Sequence, residues 1–561
     1  MSGFFSKDRL IYGPWQAFER AISRHLLHKG WNIAEVVGGS GDKGADVIAS
    51  IDGREVVFQA KYSSRNANIT EPIVDEVKSA MEFYNIKEGV CVSNRNLSTR
   101  QKQRLSELTS DDQGYNIKSF TGASILESFE KLPEWFVDSR EPREYQVEAM
   151  EELQRTFNDG TGKGLVTLAT GLGKTFVAGS FIKWLYEKNG FGLNVLILAD
   201  KQSLIEQFDR AIWTFLPKSI STHLLYQSEK PTYDDGVTLA TFQSFATYKE
   251  EKSDLYYDII IVDEAHHAMA PTYRDVLVNI KPKYLLGLTA TPFRRDKAQI
   301  EELFGSPLIK YDVVRALRNN LLSKVKYILH TDNIDKNWIS LNSNQGYTIK
   351  QLNKKVFLPQ LDDKIAKLII DYWNNKGAKK GIIFCNSNEH CERIERIFQS
   401  QFIATQALTT RVKGKRERAK RLRSFRQGEI SILTCFDMLN EGIDVPDVDF
   451  IVFLRVTHSR TYFLQQLGRG LRKPPAGNEK ELLVLDFVAD LRRIKRVQKL
   501  SNDYIAYTEK TVEELNLPGN FSLEITNENT EDFIDLVTRD ESESIDELEE
   551  NEMVYLNNAT D

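Results

Sequence analysis

"GLVTLATGLGKTFVAGSFIKWL", residues 164–185, decides how the chain is read. Its first part is a near-continuous apolar run, the pattern of a strand covered on both faces. Its last part has helical spacing. Between them lie two glycines and a lysine. Gly171 and Gly173 let backbone N–H groups close around phosphate oxygens. The helix that follows points its N-terminus at the same anion. Lys174 supplies a point charge to the β- and γ-phosphates of a nucleotide, and Thr175 offers a hydroxyl to Mg²⁺. Leu168 stands where the general phosphate-loop pattern has its first glycine.

Outward from this stretch the same alternation continues. "NVLILAD", "GVTLAT", "YDIIIVDEA" and "YLLGLTATP" read as buried strands separated by helical patterns. The scheme repeats with "KGIIFCNS", "ATQALTT", "ISILTCF", "DFIVFLR" and "ELLVLDFV". Strands of this kind between helices predict parallel sheets, one over residues 143–300 and a second over 355–495. Residues 300–354 would connect them. Residues 1–130 form a separate N-terminal domain, 131–144 a linker, and 496–561 a C-terminal extension with an acidic tail.

Two carboxylates, Asp263 and Glu264, end the strand "YYDIIIVDEAHH". Such a position is costly unless the acids face a cation or water. Asp263 is expected to hold Mg²⁺ and Glu264 to orient and deprotonate an attacking water. His266 would couple this site to its neighbours. In the second sheet domain, "QQLGRGLR" (465–472) puts Arg469 and Arg472 on one helical face. Two arginines aimed across a cleft would stabilise the charge of a transferring phosphoryl group.

Taken together, "REYQ", "LATGLGKT", "ATFQS", "DEAH", "TATPFRRD", "NEGIDVP" and "QQLGRGLR" occur in an order that resembles a superfamily 2 helicase core. Among such cores it is most similar to the helicase parts of restriction enzymes. The resemblance implies two tandem RecA-like domains and an ATP site that takes in Thr170 with the phosphate loop. It further implies that Gln146 reads adenine and that Thr289 to Thr291 couple hydrolysis to movement. Gly442 and Asp444 would join the ATP site to nucleic acid. Thr241, Gln243 and Thr434 would touch the phosphate backbone, contacts that position a strand without reading it.

The bulk composition fits this picture. At 561 residues, 41% hydrophobic and 27% charged, the chain has the makeup of a multi-domain globular protein. No apolar run is long enough to span a bilayer. The N-terminus lacks a signal-peptide pattern, and the four cysteines form no CxxC pair, so a reducing cytoplasm is expected. The net charge of −6 is unevenly spread. Residues 411–426 carry nine basic groups and one acid, whereas Arg539 is the one basic residue from Phe521 to Asp561. Local basic patches would let an acidic chain bind DNA.

"GADVIASIDGREVVFQAKYSS", residues 44–64, raises a second chemistry. Asp52-Gly53 is a strong hairpin-turn signal. With that turn Ile51 faces Arg54, Ile48 faces Val57, and Asp46 faces Gln59. Lys61, two residues on, shares the face of Gln59. An Asp46 carboxylate, a Gln59 amide oxygen and the Ala60 carbonyl suit Mg²⁺, which takes hard oxygen ligands. Lys61 would orient the water or stabilise a pentacovalent phosphate. Glu19, on the first amphipathic helix, would add a second carboxylate. That helix, "WQAFERAISRHLLHKGW", places Trp15, Phe18, Ile22 and Leu26 on one stripe.

"FERAI", "GDKGADVIA", "VVFQAKY" and "GVCVSN" resemble the Mrr-like restriction endonucleases of the PD-(D/E)xK class. The resemblance implies a mixed α/β nuclease domain with Asp46, Gln59 and Lys61 as its catalytic set and Glu19 as the helical glutamate. Ala45 replaces the class's proline, and Gln59 its usual acid. The whole chain then reads as an ATP-driven DNA translocase carrying its own Mg²⁺-dependent nuclease, for restriction of foreign DNA. A protein partner would supply target recognition. The rival readings are a repair or remodelling motor whose nuclease fold only binds DNA, and a nucleotide-dependent subunit that recruits a separate nuclease.

Overall fold

A computed structural model describes residues 3–330, 346–347, 362–487, 521–526 and 554–555. Short breaks fall at 37–44, 111–114, 139, 227–228, 253–254, 270, 279, 291–296, 313–314, 317–318, 320, 413–414, 437–447, 456–465, 467, 469 and 474–479.

The N-terminal domain is a five-stranded mixed sheet whose spatial order follows the sequence. Its strands are β1 (Asn32–Val36), β2 (Val47–Ile51), β3 (Arg54–Lys61), β4 (Glu88–Ser93) and β5 (Asn116–Thr121). The first two pairings are antiparallel and the last two parallel. Asp52 and Gly53 both adopt left-handed backbone, φ 51° and 75°, as a two-residue primed hairpin turn requires. Ile51 therefore pairs with Arg54 and Ile48 with Val57, the expected register.

Period-two alternation in β2 sends Val47 and Ile48 into different cores. Ile48 and Val57 pack with Val74, Val77 and Met81 of α3 (Ile73–Tyr84). Gly89 permits that approach, since a Cβ there would lie 2.4 Å from Val77 Cγ1. Val47 and Phe58 pack with Phe18, Ile22 and Leu26 of the first long helix, Trp15–His28. Trp15, expected on the same stripe, is 37% exposed because it opens the helix after Pro14. In chain order we label Lys7–Tyr12 α1 and Trp15–His28 α2; α4 (Thr99–Ser110) and α5 (Gly122–Glu130) complete the domain.

The next sheet has seven strands: β6 (Lys163–Leu168), β7 (Val195–Ala199), β8 (Thr222–Leu225), β9 (Val237–Thr241), β10 (Ile259–Val262), β11 (Tyr284–Thr289) and β12 (Pro307–Tyr311). Their order is β12-β6-β11-β10-β7-β9-β8. The pairings from β6 across to β8 are all parallel. Helices α6 (Glu144–Asn158), α7 (Lys174–Asn189), α8 (Gln202–Ile212) and α9 (Phe242–Glu251) are among those that cover it. The five central strands are those read from the sequence; β8 and β12 are additional edges.

The last large sheet also has seven strands, with Gly381–Cys385 between Ile432–Cys435 and the central Phe450–Leu454. Its strands pair in parallel. Lys324–His330 pairs with Glu481–Asp486 and Phe521–Thr526, so part of the expected connector and part of the C-terminal extension are strands of this sheet.

By its contacts the chain divides into two compact units. The first comprises Met1–Leu168, Gly173–Lys310 and Gly414–Arg423; the second comprises Ala169–Leu172, Tyr311–Lys413 and Ser424–Asp561. The N-terminal domain and the first parallel sheet thus share one unit. The stretch expected as a linker is packed down within it. The Lys218 and Ser219 N–H groups donate to Glu134, at 2.7 Å to its carbonyl and 2.9 Å to its carboxylate. Lys218 Nζ donates to the Leu132 carbonyl at 2.6 Å, and Arg140 Nη2 to Thr214 Oγ1 at 2.7 Å. Among the described residues no helix is long and apolar enough to cross a membrane.

Candidate active sites

The glycine loop runs from the end of β6 to the start of α7, which begins at Lys174 itself. Gly171 and Gly173 have φ of 92° and 83°, values a side chain would make strained. A Cβ on Gly173 would also lie 2.7 Å from Gln146 Nε2, so Gln146 backs the loop. The Gln146 side-chain oxygen accepts the Arg143 N–H at 2.9 Å and closes the first turn of α6. Thr175 lies half-buried in the first turn of α7.

Beyond β10 the Asp263 N–H donates to the Leu198 carbonyl of β7 at 2.8 Å, extending the sheet by one bond. Asp263 and Glu264 are 8% exposed each. Glu264 has φ 47°, a left-handed backbone rare outside glycine and concentrated at functional sites. Its Oε1 lies 2.6 Å from Lys174 Nζ. His266 Nδ1 is 3.3 Å from Thr289 Oγ1 and 3.6 Å from Glu264 Oε2. The structure thus joins Lys174, Glu264, His266 and Thr289 in one chain of polar contacts.

At the open end of the hairpin, the Asp46 N–H donates to the Phe58 carbonyl at 3.0 Å, and Asp46 Oδ2 accepts the Ala60 N–H at 2.6 Å. Asp46 and Gln59 are 5% and 2% exposed. Gln59 Oε1 is buried and accepts no hydrogen bond from the described residues. A buried amide oxygen left in that state is costly unless a further group meets it. Burial, and next the Asp46 charge, push the Glu19 carboxyl up to about 9, against smaller opposing effects of Arg20 and Lys61. The Asp46 contribution puts the two acids within electrostatic reach of one another. Two carboxylates and an orphaned oxygen fit a hard divalent cation. Among the described residues no group of three or more His, Cys, Asp or Glu side chains is placed to hold a metal ion; here the third oxygen would come from an amide.

Lys61 has a partner that the sequence reading missed. Its Nζ lies 2.8 Å from Glu76 Oε2, in the first turn of α3. The available signal was Glu76 itself, a half-buried acid between the core residues Val74 and Val77.

Of the expected backbone-contacting residues, Gln243 is exposed at the start of α9. Thr241 caps that helix, its Oγ1 accepting the Ser244 N–H at 3.3 Å. Thr434 requires a correction. It is fully buried in its strand and donates to the Cys391 carbonyl at 3.0 Å, so it presents no surface to a strand of nucleic acid. Thr170 lies in the glycine loop, and Arg472 is exposed. Thr291, Gly442, Asp444 and Arg469 lie outside the described residues.

Three family models match. Residues 139–294 match the type III restriction enzyme res subunit, 361–474 the helicase conserved C-terminal domain, and 13–111 a restriction endonuclease. The chain is 25% identical over 378 residues to the type I restriction enzyme EcoAI endonuclease subunit of Escherichia coli, covering 62% of this chain and 46% of that protein. It is 27% identical over 402 residues to the DNA 3'-5' translocase XPB2 of Sulfurisphaera tokodaii, covering 64% of this chain and 85% of that one. The chain spans about half the length of the first curated relatives it matches. The structure of the ATP-dependent type ISP restriction-modification enzyme LlaBIII bound to DNA shares its fold, with a TM-score of 0.52 at 16% identity over 95% of this chain and 42% of that chain.

Proposed function

The chain is a superfamily 2 helicase core with an N-terminal Mrr-like restriction-endonuclease domain, and we propose that it is an ATP-driven DNA translocase that cuts DNA with that domain. It acts in restriction of foreign DNA, in the cytoplasm, with a partner protein choosing the target. The observation that carries this reading is Gln59 Oε1, buried beside Asp46 with no hydrogen-bond donor among the described residues. A hairpin end that served only to bind DNA would have no use for a buried, unsatisfied oxygen.

When bound, Mg²⁺ would neutralise phosphate charge beside Thr175 and Asp263, and beside Asp46, Gln59 and Glu19 would lower the pKa of an attacking water. The chain's own residues do the rest. Lys174 leaves Glu264 for the β- and γ-phosphates of ATP. Glu264, released, accepts the proton of the water that attacks the γ-phosphate. His266 transmits the change to Thr289 through the contact described above. The exposed Gln243 meets the DNA backbone, and Arg469 and Arg472 meet the transferring phosphoryl group. In the nuclease domain, Lys61 holds the attacking water or the charge on the pentacovalent phosphate, and Glu76 keeps its ammonium in place.

The test is a cleavage assay on linear, circular, modified and branched DNA, with and without ATP, comparing the wild type with Asp46→Ala. Mg²⁺-dependent cutting that Asp46→Ala loses supports the reading. Absence of cutting on every substrate, with ATPase activity intact, would overturn the nuclease half of it.

A further inference from the structure

Helix α2 belongs to two domains at once. One face packs Phe18 and Ile22 into the nuclease core. On that helix Glu19 is within electrostatic reach of Asp46, and the very next residue turns towards the first parallel-sheet domain. Arg20 Nη1 and Nη2 donate to the two carboxylate oxygens of Glu229, at 2.7 and 2.5 Å. Arg20 Nε lies 3.6 Å from Asp209 Oδ2, while Asp209 Oδ1 accepts Trp213 Nε1–H at 3.0 Å. The three charged side chains are 13%, 2% and 1% exposed. One turn later Arg24, 1% exposed, donates to the carbonyls of Ile220, Pro217 and Leu216 at 2.6, 2.9 and 3.2 Å.

A forked arginine–carboxylate pair fixes direction as well as distance. Neighbouring side chains on an α-helix are set about 100° apart by the 3.6-residue turn. Holding Arg20 therefore also holds the direction of Glu19. Asp209 sits on α8, and α8 follows β7, the strand whose Leu198 carbonyl accepts the Asp263 N–H. One arm of the fork thus stands on a helix that follows a strand of the sheet carrying the proposed ATP site.

We propose that Arg20 is a positioning residue of the nuclease site: its fork onto Glu229 and Asp209 sets α2 so that Glu19 and Asp46 address one divalent cation. The proposal rests on the nuclease reading above. Groups that orient metal ligands from outside are typically worth about 10- to 100-fold in metal affinity. The fork acts on the ligand geometry and not on the chemical step. Its loss should therefore raise the metal concentration required and leave the saturated rate in place.

The experiment uses the full chain without nucleotide and Mn²⁺ as the probe, followed by electron paramagnetic resonance. The nuclease-site signal is the binding lost in Asp46→Ala. Arg20→Met and Glu229→Gln should weaken that binding by about tenfold or more. Each should raise the Mg²⁺ concentration for half-maximal DNA cutting by a similar factor, with the rate at saturating Mg²⁺ and the ATPase activity retained. Arg20→Lys, which keeps the charge, should recover part of the loss. Retained ATPase activity certifies the fold, and Glu229→Gln serves where Arg20→Met does not fold. Wild-type Mn²⁺ affinity in both Arg20→Met and Glu229→Gln would overturn the positioning role. If Asp46→Ala itself binds Mn²⁺ as the wild type does, the nuclease reading falls and takes the proposal with it.

Discussion

Lys174 and Glu264 neutralise one another across 2.6 Å at a site where both are largely buried. On the proposed reading, ATP breaks that pair to reach the lysine. Lys174→Ala should abolish DNA-stimulated ATP hydrolysis. Glu264→Gln should lower kcat by roughly 10²- to 10⁴-fold, the usual worth of a general base. It should leave ATP binding intact or tighter, because glutamine no longer holds the ammonium. Steady-state hydrolysis and equilibrium binding of a fluorescent ATP analogue measure the two effects separately.

The nuclease set should separate cleanly from the motor. Asp46→Ala and Lys61→Ala should each lose DNA cutting while ATPase activity stays within about twofold of wild type. Both groups are proposed to act directly on the reaction, where single losses commonly reach about 10²-fold or more. Glu76→Gln should be milder than Lys61→Ala, since it frees the lysine's ammonium without removing it. A nicking assay on supercoiled plasmid reads all three.

The hairpin depends on its turn. Gly53 has φ 75° and open space where a Cβ would point, so a substitution there tests backbone conformation alone. Gly53→Val should cost about 1–2 kcal/mol, the penalty for holding an L-residue left-handed. Gly53→Asn should be tolerated far better, as asparagine accepts that conformation. A register slip of one residue would also turn Gln59 to the other face of the sheet, so DNA cutting should fall with stability. Urea unfolding followed by cleavage assays on the same variants checks both.

Acid should destabilise the first unit through two histidines of α2. Burial pulls His25 from 6.5 down to about 4, with Lys29 adding to the effect. Burial likewise pulls His28 down to about 3, with Arg24 adding to it. Below pH 6.5 the unfolded chain takes up protons that the folded one refuses, so stability falls as pH falls. The loss begins near pH 6.5 and levels off only as the pH passes through about 4 and then about 3. Thermal melts between pH 8 and 4 should show it, and His28→Phe should flatten the profile.

Much of the architecture was legible because its signals are local. The central strands of both parallel sheets are apolar runs of four to six residues, and each is found where it was expected. The hairpin register from Ile51–Arg54 to Val47–Phe58 followed from a single turn; at Asp46 it ends, for the Asp46 N–H turns to the Phe58 carbonyl and its carboxylate to the Ala60 N–H. What the sequence hid depends on partners far away. Thr222–Leu225 opens on Thr222 and His223 and so lacks the apolar run of the central strands, and Lys324–His330 alternates lysine with apolar residues over its first half. Arg20 and Glu229 lie 209 positions apart, and no spacing rule joins them. Thr434 shows the opposite failure. A motif assigned it to a surface, while the strand that carries it put it inside.

The packing of Glu134 against Lys218 and Ser219 bears on how such proteins can be recombined. A segment that looked like a tether is part of the joint, and the arginines of α2 find their acceptors in residues 209–229. Exchange of the nuclease domain at residue 131 would strand buried cations on one side of the cut and buried carboxylates on the other. A working chimera has to carry residues 209–235 along with the domain. The interchangeable cassette in this chain is therefore discontinuous: two stretches of sequence that must travel together.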